Sequence, residues 1–276
     1  MKCSEENVRL FYENNVLKEW HRLDGQYSNI EFSIVKKELF RSLKKECDIL
    51  DLGCGPGKYA IELTKQGHNI FLVDISQRNL EYAIEEIRKN GLEKRIIGVK
   101  CCSAFEFRCE HKFDAVLVFG PLYHMLDNDQ VRTTLKNIKY MTRKDGYVYT
   151  IFIQMISIFK DFLKRGWVDE ITKLISDDYL NTGLYYPSCW RQIEQYMPNF
   201  RAYKVQTAKR IITEGGFEIE KTMTCESFAA FMRPYFEKNP FSQQKYEKLL
   251  DLLYEIASED FLLQSTDHFL IVSRKR

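Results

Sequence analysis

The chain has 276 residues, 45% hydrophobic and 29% charged, the balance of a soluble globular protein with one large domain or a domain carrying an insertion. A net charge of +2 leaves no strong basic field, so nucleic acid is not expected as a partner. The most apolar run, 147–159, is shorter than a membrane span and is broken by Thr150, Gln154 and Ser157, so no membrane partner is expected.

The N-terminus, MKCSEENVRL, lacks a basic region leading into an apolar stretch, and no secretory leader is expected. Eight cysteines, at positions 3, 47, 54, 101, 102, 109, 189 and 225, form no C-x-x-C pair. That pattern predicts reduced thiols, a cytoplasmic location and no zinc site.

Apolar residues three and four apart predict helices over 8–20 and 32–43, separated by a turn at Asp24-Gly25. From residue 48 the pattern changes. A short apolar strand is predicted over 48–52, and a helix over 58–66 stopped by Gly67. A second strand covers 68–73 and ends at Asp74. Ser76 is placed to cap the next helix, which carries Leu80, Ala83, Ile84 and Ile87 on one face and ends at Asn90-Gly91. Strands follow at 96–102 and 113–119, then a helix over 127–141. A turn at Asp145-Gly146 leads to a fifth strand, 147–153. Strands alternating with helices over 48–153 predict a parallel sheet covered on both faces, with ligands at the carboxyl ends of its strands.

Beyond residue 153 the alternation stops. Residues 154–205 are aromatic and read as mostly helical, 207–214 as a helix, 217–223 as a strand, 226–264 as helical and 268–273 as a last strand. The stretch 154–205 is the candidate insertion or cap.

The stretch ILDLGCGPGKYA, 49–60, runs a strand into a glycine loop and a helix. A P-loop needs G-x-x-x-x-G-K-[ST]; Tyr59 follows Lys58 here, and no glycine stands at the required distance upstream. A dinucleotide loop needs G-x-G-x-x-G; Gly53 and Gly55 fit, but Lys58 occupies the third position. A third pattern is D-x-G-x-G-x-G with an acidic residue closing the next strand, met by Asp51, Gly53, Gly55, Gly57 and Asp74. Glycines without Cβ let backbone press against a ligand, and a carboxylate ending the second strand can accept from two ribose hydroxyls.

This order of motifs resembles the class I S-adenosylmethionine-dependent methyltransferases, and more their small-molecule branch than the branches that modify RNA or DNA. VKCCSAFEF sits where relatives often read Gly-Asp-Ala, and FDAVLVFGPLYHM resembles the fourth strand with its following loop. TAKRIITEGGFEIEKTM and DHFLIVSRKR resemble the late helix and strands. The resemblance implies a doubly wound, seven-stranded Rossmann-like α/β sheet with a mainly helical cap. It implies a single domain over 1–276: a helical N-terminal lid at 1–45, a cofactor-binding core at 46–153, a helical cap at 154–205, and the rest of the core at 206–276 with a helical insertion at 226–264.

The cofactor implied is S-adenosylmethionine, and the partner a small-molecule methyl acceptor. Carried over by motif, the cofactor residues are Asp51, Gly53, Cys54, Gly55, Gly57, Asp74, Ile75, Ser103, Ala104, Phe119, Gly120 and Leu122. In the family Asp51 meets the methionyl amino group and Asp74 the ribose. Ser103 stands in for the aspartate that holds the adenine amino group. Cys54 contributes backbone and a small filler, since methyl transfer needs no nucleophilic thiol. His124 is the candidate proton acceptor, because imidazole titrates near neutrality, and Tyr123 is its neighbour.

Trp20 and Tyr27 lie in the segment that relatives fold as a lid, with core packing as their default reading. The same default applies to Trp167, Tyr179, Tyr185, Tyr186, Trp190 and Tyr196. The alternative for these is a cage for an apolar, aromatic or cationic acceptor. Three other functions stay open: an RNA methyltransferase, a binding module without turnover, and a dinucleotide oxidoreductase.

Overall fold

The computed structural model describes residues 5–44, 46–186 and 198–276. Its centre is β1 (Asp48–Leu52), whose Ile49, Leu50 and Leu52 are fully buried. A strand apolar on both faces must be covered on both faces. Parallel neighbours flank it: β2 (Asn69–Asp74) and then β3 (Ile96–Cys101) on one side, β4 (Phe113–Val118) and then β5 (Thr142–Ile153) on the other. A two-stranded piece outside this sheet pairs β6 (Leu184–Tyr185) with β7 (Phe200–Arg201). The main sheet is completed by β8 (Glu218–Thr224) and β9 (His268–Arg274), in the order β3-β2-β1-β4-β5-β9-β8. Strand β9 runs antiparallel to both neighbours, so the seven-stranded sheet is mixed.

The predicted elements in the core appear with small shifts. Strand β5 begins at Thr142, five residues early. The Asp145-Gly146 turn becomes a kink within it, with Asp145 at φ +59°. The long N-terminal helix divides at Asn15 into α1 (Glu5–Asn14) and α2 (Val16–His21), followed by α3 (Gln26–Ser42). Helices α4 (Lys58–Lys65) and α5 (Gln77–Lys89) follow the first two strands. Ser76 caps α5 as predicted, accepting from the Asn79 N–H at 3.1 Å. The short α6 (Pro121–His124) and α7 (Asn128–Met141) follow β4.

The insertion after β5 holds α8 (Ile156–Lys164), α9 (Val168–Ser176) and α10 (Tyr179–Thr182), but also the β6–β7 pair, which helical periodicity did not show. Helix α11 (Val205–Glu214) precedes β8. Helices α12 (Arg233–Lys238), α13 (Gln243–Glu255) and α14 (Asp260–Leu263) fill the predicted helical stretch before β9.

Two apolar layers sandwich the sheet because side chains alternate along each strand. Ile49, Ile70, Leu72, Leu117 and Ile151 pack with Val35 and Leu39 of α3, Leu63 of α4, Leu80 of α5 and Leu253 of α13. Leu50, Leu52, Val116, Val118 and Phe152 pack on the other face with Leu135 and Ile138 of α7 and Ala208 of α11. A third cluster belongs to the insertion: Phe162, Leu174, Tyr179, Tyr185 and Phe200. Three of the six aromatics singled out there, Trp167, Tyr179 and Tyr185, are therefore packing residues. Trp167 lies 5.6 Å from Phe162, while Trp190 and Tyr196 fall outside the described residues.

Candidate active site

Strand order reverses between β1 and β4, and such a point opens a crevice beyond the carboxyl ends of the strands. A cavity of about 870 Å³ lies there, a size suited to a small-molecule site. Its floor comes from the loops after four successive strands: Gly53–Pro56 after β1, Asp74 and Ile75 after β2, Cys102–Ala104 after β3, and Phe119–Pro121 after β4.

The glycine loop is tied to β2. The N–H groups of Gly53 and Cys54 both donate to the Val73 carbonyl, at 2.7 and 3.0 Å. Gly53 has φ +84°, and a Cβ there would sit 2.5 Å from Pro121 Cγ. Gly57 has φ +86°, and a Cβ there would meet the Ala83 methyl of α5 at 2.7 Å. We expect Gly53→Val to cost about 3 kcal/mol or more, from strained backbone plus overpacking, read as a fall in melting temperature. An unchanged melting temperature would show that α6 can shift freely.

Asp74 is buried at the end of β2. Its carboxylate accepts from the Gly55 N–H at 2.8 Å, the Ser76 N–H at 2.9 Å and the Asn79 amide at 3.3 Å. Burial nonetheless holds it above its usual range. Asp51 is buried too, in β1 below the loop, and among the described residues its carboxylate has no hydrogen-bond partner. Burial, with Asp74 nearby, pushes it up to about 7. The Tyr59 hydroxyl is likewise buried without a partner.

His124 stands at the end of α6. Its Nδ1–H donates to the Asn199 carbonyl at 3.3 Å, so Nε2 is left to accept from the Tyr12 hydroxyl at 2.8 Å. Burial pulls its pKa down to about 4, with the Asn199 carbonyl opposing. The near-neutral titration expected of this histidine is therefore absent: it is a neutral imidazole at pH 7. Tyr123 donates to the Phe119 carbonyl at 3.3 Å, and burial pushes it above 10.

Of the residues carried over by motif, Gly53, Cys54, Gly55, Asp74, Ile75, Ser103, Ala104, Phe119, Gly120, Tyr123 and His124 line the cavity. Asp51, Gly57 and Leu122 do not; Leu122 is wholly buried in the core. Cys54 has a thiol raised well above its usual range by burial and then by Asp74, consistent with a filler role. Ser103 closes a turn, its carbonyl accepting from the Glu106 and Phe107 N–H groups at 3.2 and 3.1 Å.

Sequence reasoning missed Tyr12, Glu19, Arg22, Tyr59 and Gln130, all on the cavity wall, while Tyr186, named among the aromatics of the insertion, does reach it. In the N-terminal segment it singled out Trp20 and Tyr27 instead. Trp20 packs on Tyr82 at 5.2 Å, and Tyr27 on Phe236 at 6.0 Å, away from the cavity. Helix α1 is fastened over the site by Glu13, whose carboxylate takes the Gln77 and Arg78 N–H groups at 2.8 and 3.4 Å, at the positive end of α5.

The family profile described as a methyltransferase domain matches residues 49–146, the stretch from β1 to β5 that forms this floor. The ubiquinone biosynthesis O-methyltransferase of Rickettsia prowazekii (strain Madrid E) is 31% identical over 163 residues, 55% of this chain and 60% of that one. The chain spans about half the length of the curated relatives it matches. Among solved structures, Burkholderia thailandensis 1,6-didemethyltoxoflavin-N1-methyltransferase superposes with a TM-score of 0.60 at 14% identity, covering 98% of this chain and 88% of that one. An S-adenosylmethionine-dependent methyltransferase from Clostridium acetobutylicum superposes at 0.58 with 16% identity, covering 95% and 98%. At these identities the likeness is one of fold. The profile match, the curated relatives and the D-x-G-x-G-x-G loop at the strand reversal together show a methyltransferase domain over residues 49–146, of the class whose cofactor is S-adenosylmethionine.

Proposed function

We propose that the protein transfers a methyl group from S-adenosylmethionine to a small-molecule acceptor by direct displacement. The observation that carries this reading is the unpartnered Asp51 carboxylate beside the Asp74 carboxylate and the glycine loop. A buried carboxylate without a partner is costly, and an ammonium supplies what it lacks. The residues fit the cofactor's parts: Asp74 for the ribose hydroxyls, Asp51 for the amino group, and Ile75, Ser103 and Ala104 around the adenine. Gly53, Cys54, Gly55, Phe119 and Gly120 provide close walls. Gly57 and Leu122 act from behind, by packing the loop and α6.

When bound, the cofactor supplies a methyl already activated by its sulfonium. The protein then has to align an acceptor and keep water out. Tyr12, Tyr123, His124, Gln130 and Tyr186 wall the part of the cavity left for the acceptor. The neutral imidazole of His124 can take a proton at Nε2, directly or through the Tyr12 hydroxyl that rests on it. Relatives named for ubiquinone biosynthesis and for 1,6-didemethyltoxoflavin support an acceptor of small-molecule size.

The test is calorimetric titration with S-adenosylmethionine, S-adenosylhomocysteine and, as a control, NAD. Micromolar binding of the first two with none of NAD is expected, followed by an acceptor screen that reads S-adenosylhomocysteine release. Binding of NAD alone would overturn the reading. Asp74→Ala is expected to weaken S-adenosylhomocysteine by about 1–3 kcal/mol, the loss of hydrogen bonds to a buried charged group. Wild-type affinity in that variant would remove the ribose assignment.

A further inference from the structure

We propose that a second cavity, between α7, α11 and the strand pair β6–β7, binds a phosphorylated small molecule carrying two or more phosphate groups. The proposal goes beyond the methyl-transfer reading and does not depend on it. The cavity measures about 630 Å³, within the range of small-molecule sites.

Its floor is apolar: Leu135, Met155 and Tyr203 line it and are themselves buried, which makes it a hollow and not a flat patch. Its walls are cationic. Arg132, Lys136 and Lys139 stand four and three positions apart, so they share one face of α7. Arg201 comes from β7, Lys204 from the start of α11 and Arg210 from within α11. Among the described residues, the lining sets one carboxylate, Glu214, against these six cations.

Two of the six have anions of their own. Arg132 pairs with Asp129 at 2.9 Å, and Arg210 with Glu214 at 3.9 Å. Lys136, Lys139 and Lys204 have no ion-pair partner among the described residues. Arg201 is half-buried, and its hydrogen bonds run to neutral acceptors. Nη1 donates to the Asn128 side-chain oxygen and Nη2 to the Leu126 carbonyl, each at 2.5 Å. Its Nε is buried with no acceptor among the described residues.

Four positive charges therefore converge on one hollow without an anion. Their mutual repulsion costs the empty protein, and an anion between them removes that cost. A phosphate group brings up to two charges and several acceptor oxygens, which ammonium and guanidinium groups can share. Four uncompensated cations call for two such groups or more. The whole chain carries only +2, so the excess is local to the hollow. A local excess suits a compact ligand better than a nucleic acid strand, which needs a basic track.

The site is separate from the cofactor cavity. Leu126 and Asp127 line that cavity, and Asn128 lines this one. The two bonds from Arg201 fix the turn between them as a wall.

The test is calorimetric titration of the full chain with sodium tripolyphosphate, and with inorganic phosphate for comparison. Tripolyphosphate is expected to bind about tenfold tighter than phosphate or more. Lys136→Ala and Lys204→Ala change exposed side chains, so both should fold normally. Each is expected to weaken tripolyphosphate about fivefold or more, the loss of a charge-assisted contact. Lys94→Ala removes an exposed lysine just before β3, at the far edge of the sheet, and should stay within about twofold. Saturating S-adenosylhomocysteine should likewise change the affinity by no more than about twofold. Failure of the wild type to bind millimolar tripolyphosphate overturns the proposal. So does an equal loss in Lys94→Ala, which would mean unspecific attraction, or competition by S-adenosylhomocysteine, which would put the probe in the other cavity. A labelled single-stranded RNA 20-mer and phosphatidylglycerol vesicles are titrated alongside. Binding of either that Lys136→Ala and Lys204→Ala weaken and tripolyphosphate fails to displace would assign the face to a polymer or a lipid surface, and the proposal would fall.

Discussion

Asp51→Asn is expected to raise the melting temperature of the ligand-free protein while weakening S-adenosylhomocysteine about tenfold or more. The two effects have one cause. Asp51 is buried without a hydrogen-bond partner, and its pKa stands at about 7 in place of 3.8. Keeping it ionised above pH 7 costs the folded state on the order of 4 kcal/mol. Because the folded value is raised, the sign is opposite to that of a salt-bridged acid. No cost applies below pH 4, it grows as pH rises from about 4 to about 7, and it is full above that. Asparagine removes the charge but leaves a buried amide, so the expected gain at pH 7.5 is about 1–3 kcal/mol, or several degrees. The same carboxylate is the proposed partner of the cofactor's amino group. Wild-type affinity should therefore climb between about pH 6 and pH 7.5 as Asp51 ionises, and this slope should flatten in the variant. A lower melting temperature in Asp51→Asn would show that the carboxylate stabilises the empty protein, contrary to its isolation here.

Glu226→Ala carries the largest expected loss of stability, about 3–5 kcal/mol, because it strands the His268 cation among buried groups. For a chain of this size that is on the order of 10 °C in melting temperature. Burial alone would pull His268 down, but Glu226 and then Glu31 push it up to about 9. A histidine raised above its ordinary 6.5 adds stability that is full below about pH 6.5. That stability is lost as pH rises through 9. Melting curves of the wild type should fall over this window, above the range in which Asp51 acts. In Glu226→Ala the fall should shrink, since the partner that raised His268 is gone. A wild-type curve flat from pH 6.5 to 9 would mean that the pair carries no charge.

Local chemistry made the floor of the site readable. A strand, a glycine loop and a helix follow one another over 48–65, so their residues are neighbours in space because they are neighbours in the chain. The positive φ at Gly53 and Gly57, and the buried carboxylate closing β2, are properties of short segments. His124 was placed by the same logic, but its pKa was not, because burial and the Asn199 carbonyl come from elsewhere in the fold.

The amino-acid sequence by itself determined the β-α alternation and the glycine loop after the first strand, since both follow from periodicity and spacing within a few turns of chain, while the class of cofactor followed from the resemblance of the motif order to a known family. Only the tertiary structure decided which aromatic and charged residues of α1 and α2 face the cavity. Tyr12 and Trp20 are both aromatic residues of helices, yet one meets His124 and the other Tyr82. It also decided that β9 runs antiparallel and that His268 meets Glu31, 237 positions away in the sequence. Contacts of that kind depend on how layers stack and which charges must be buried together. No local pattern encodes them.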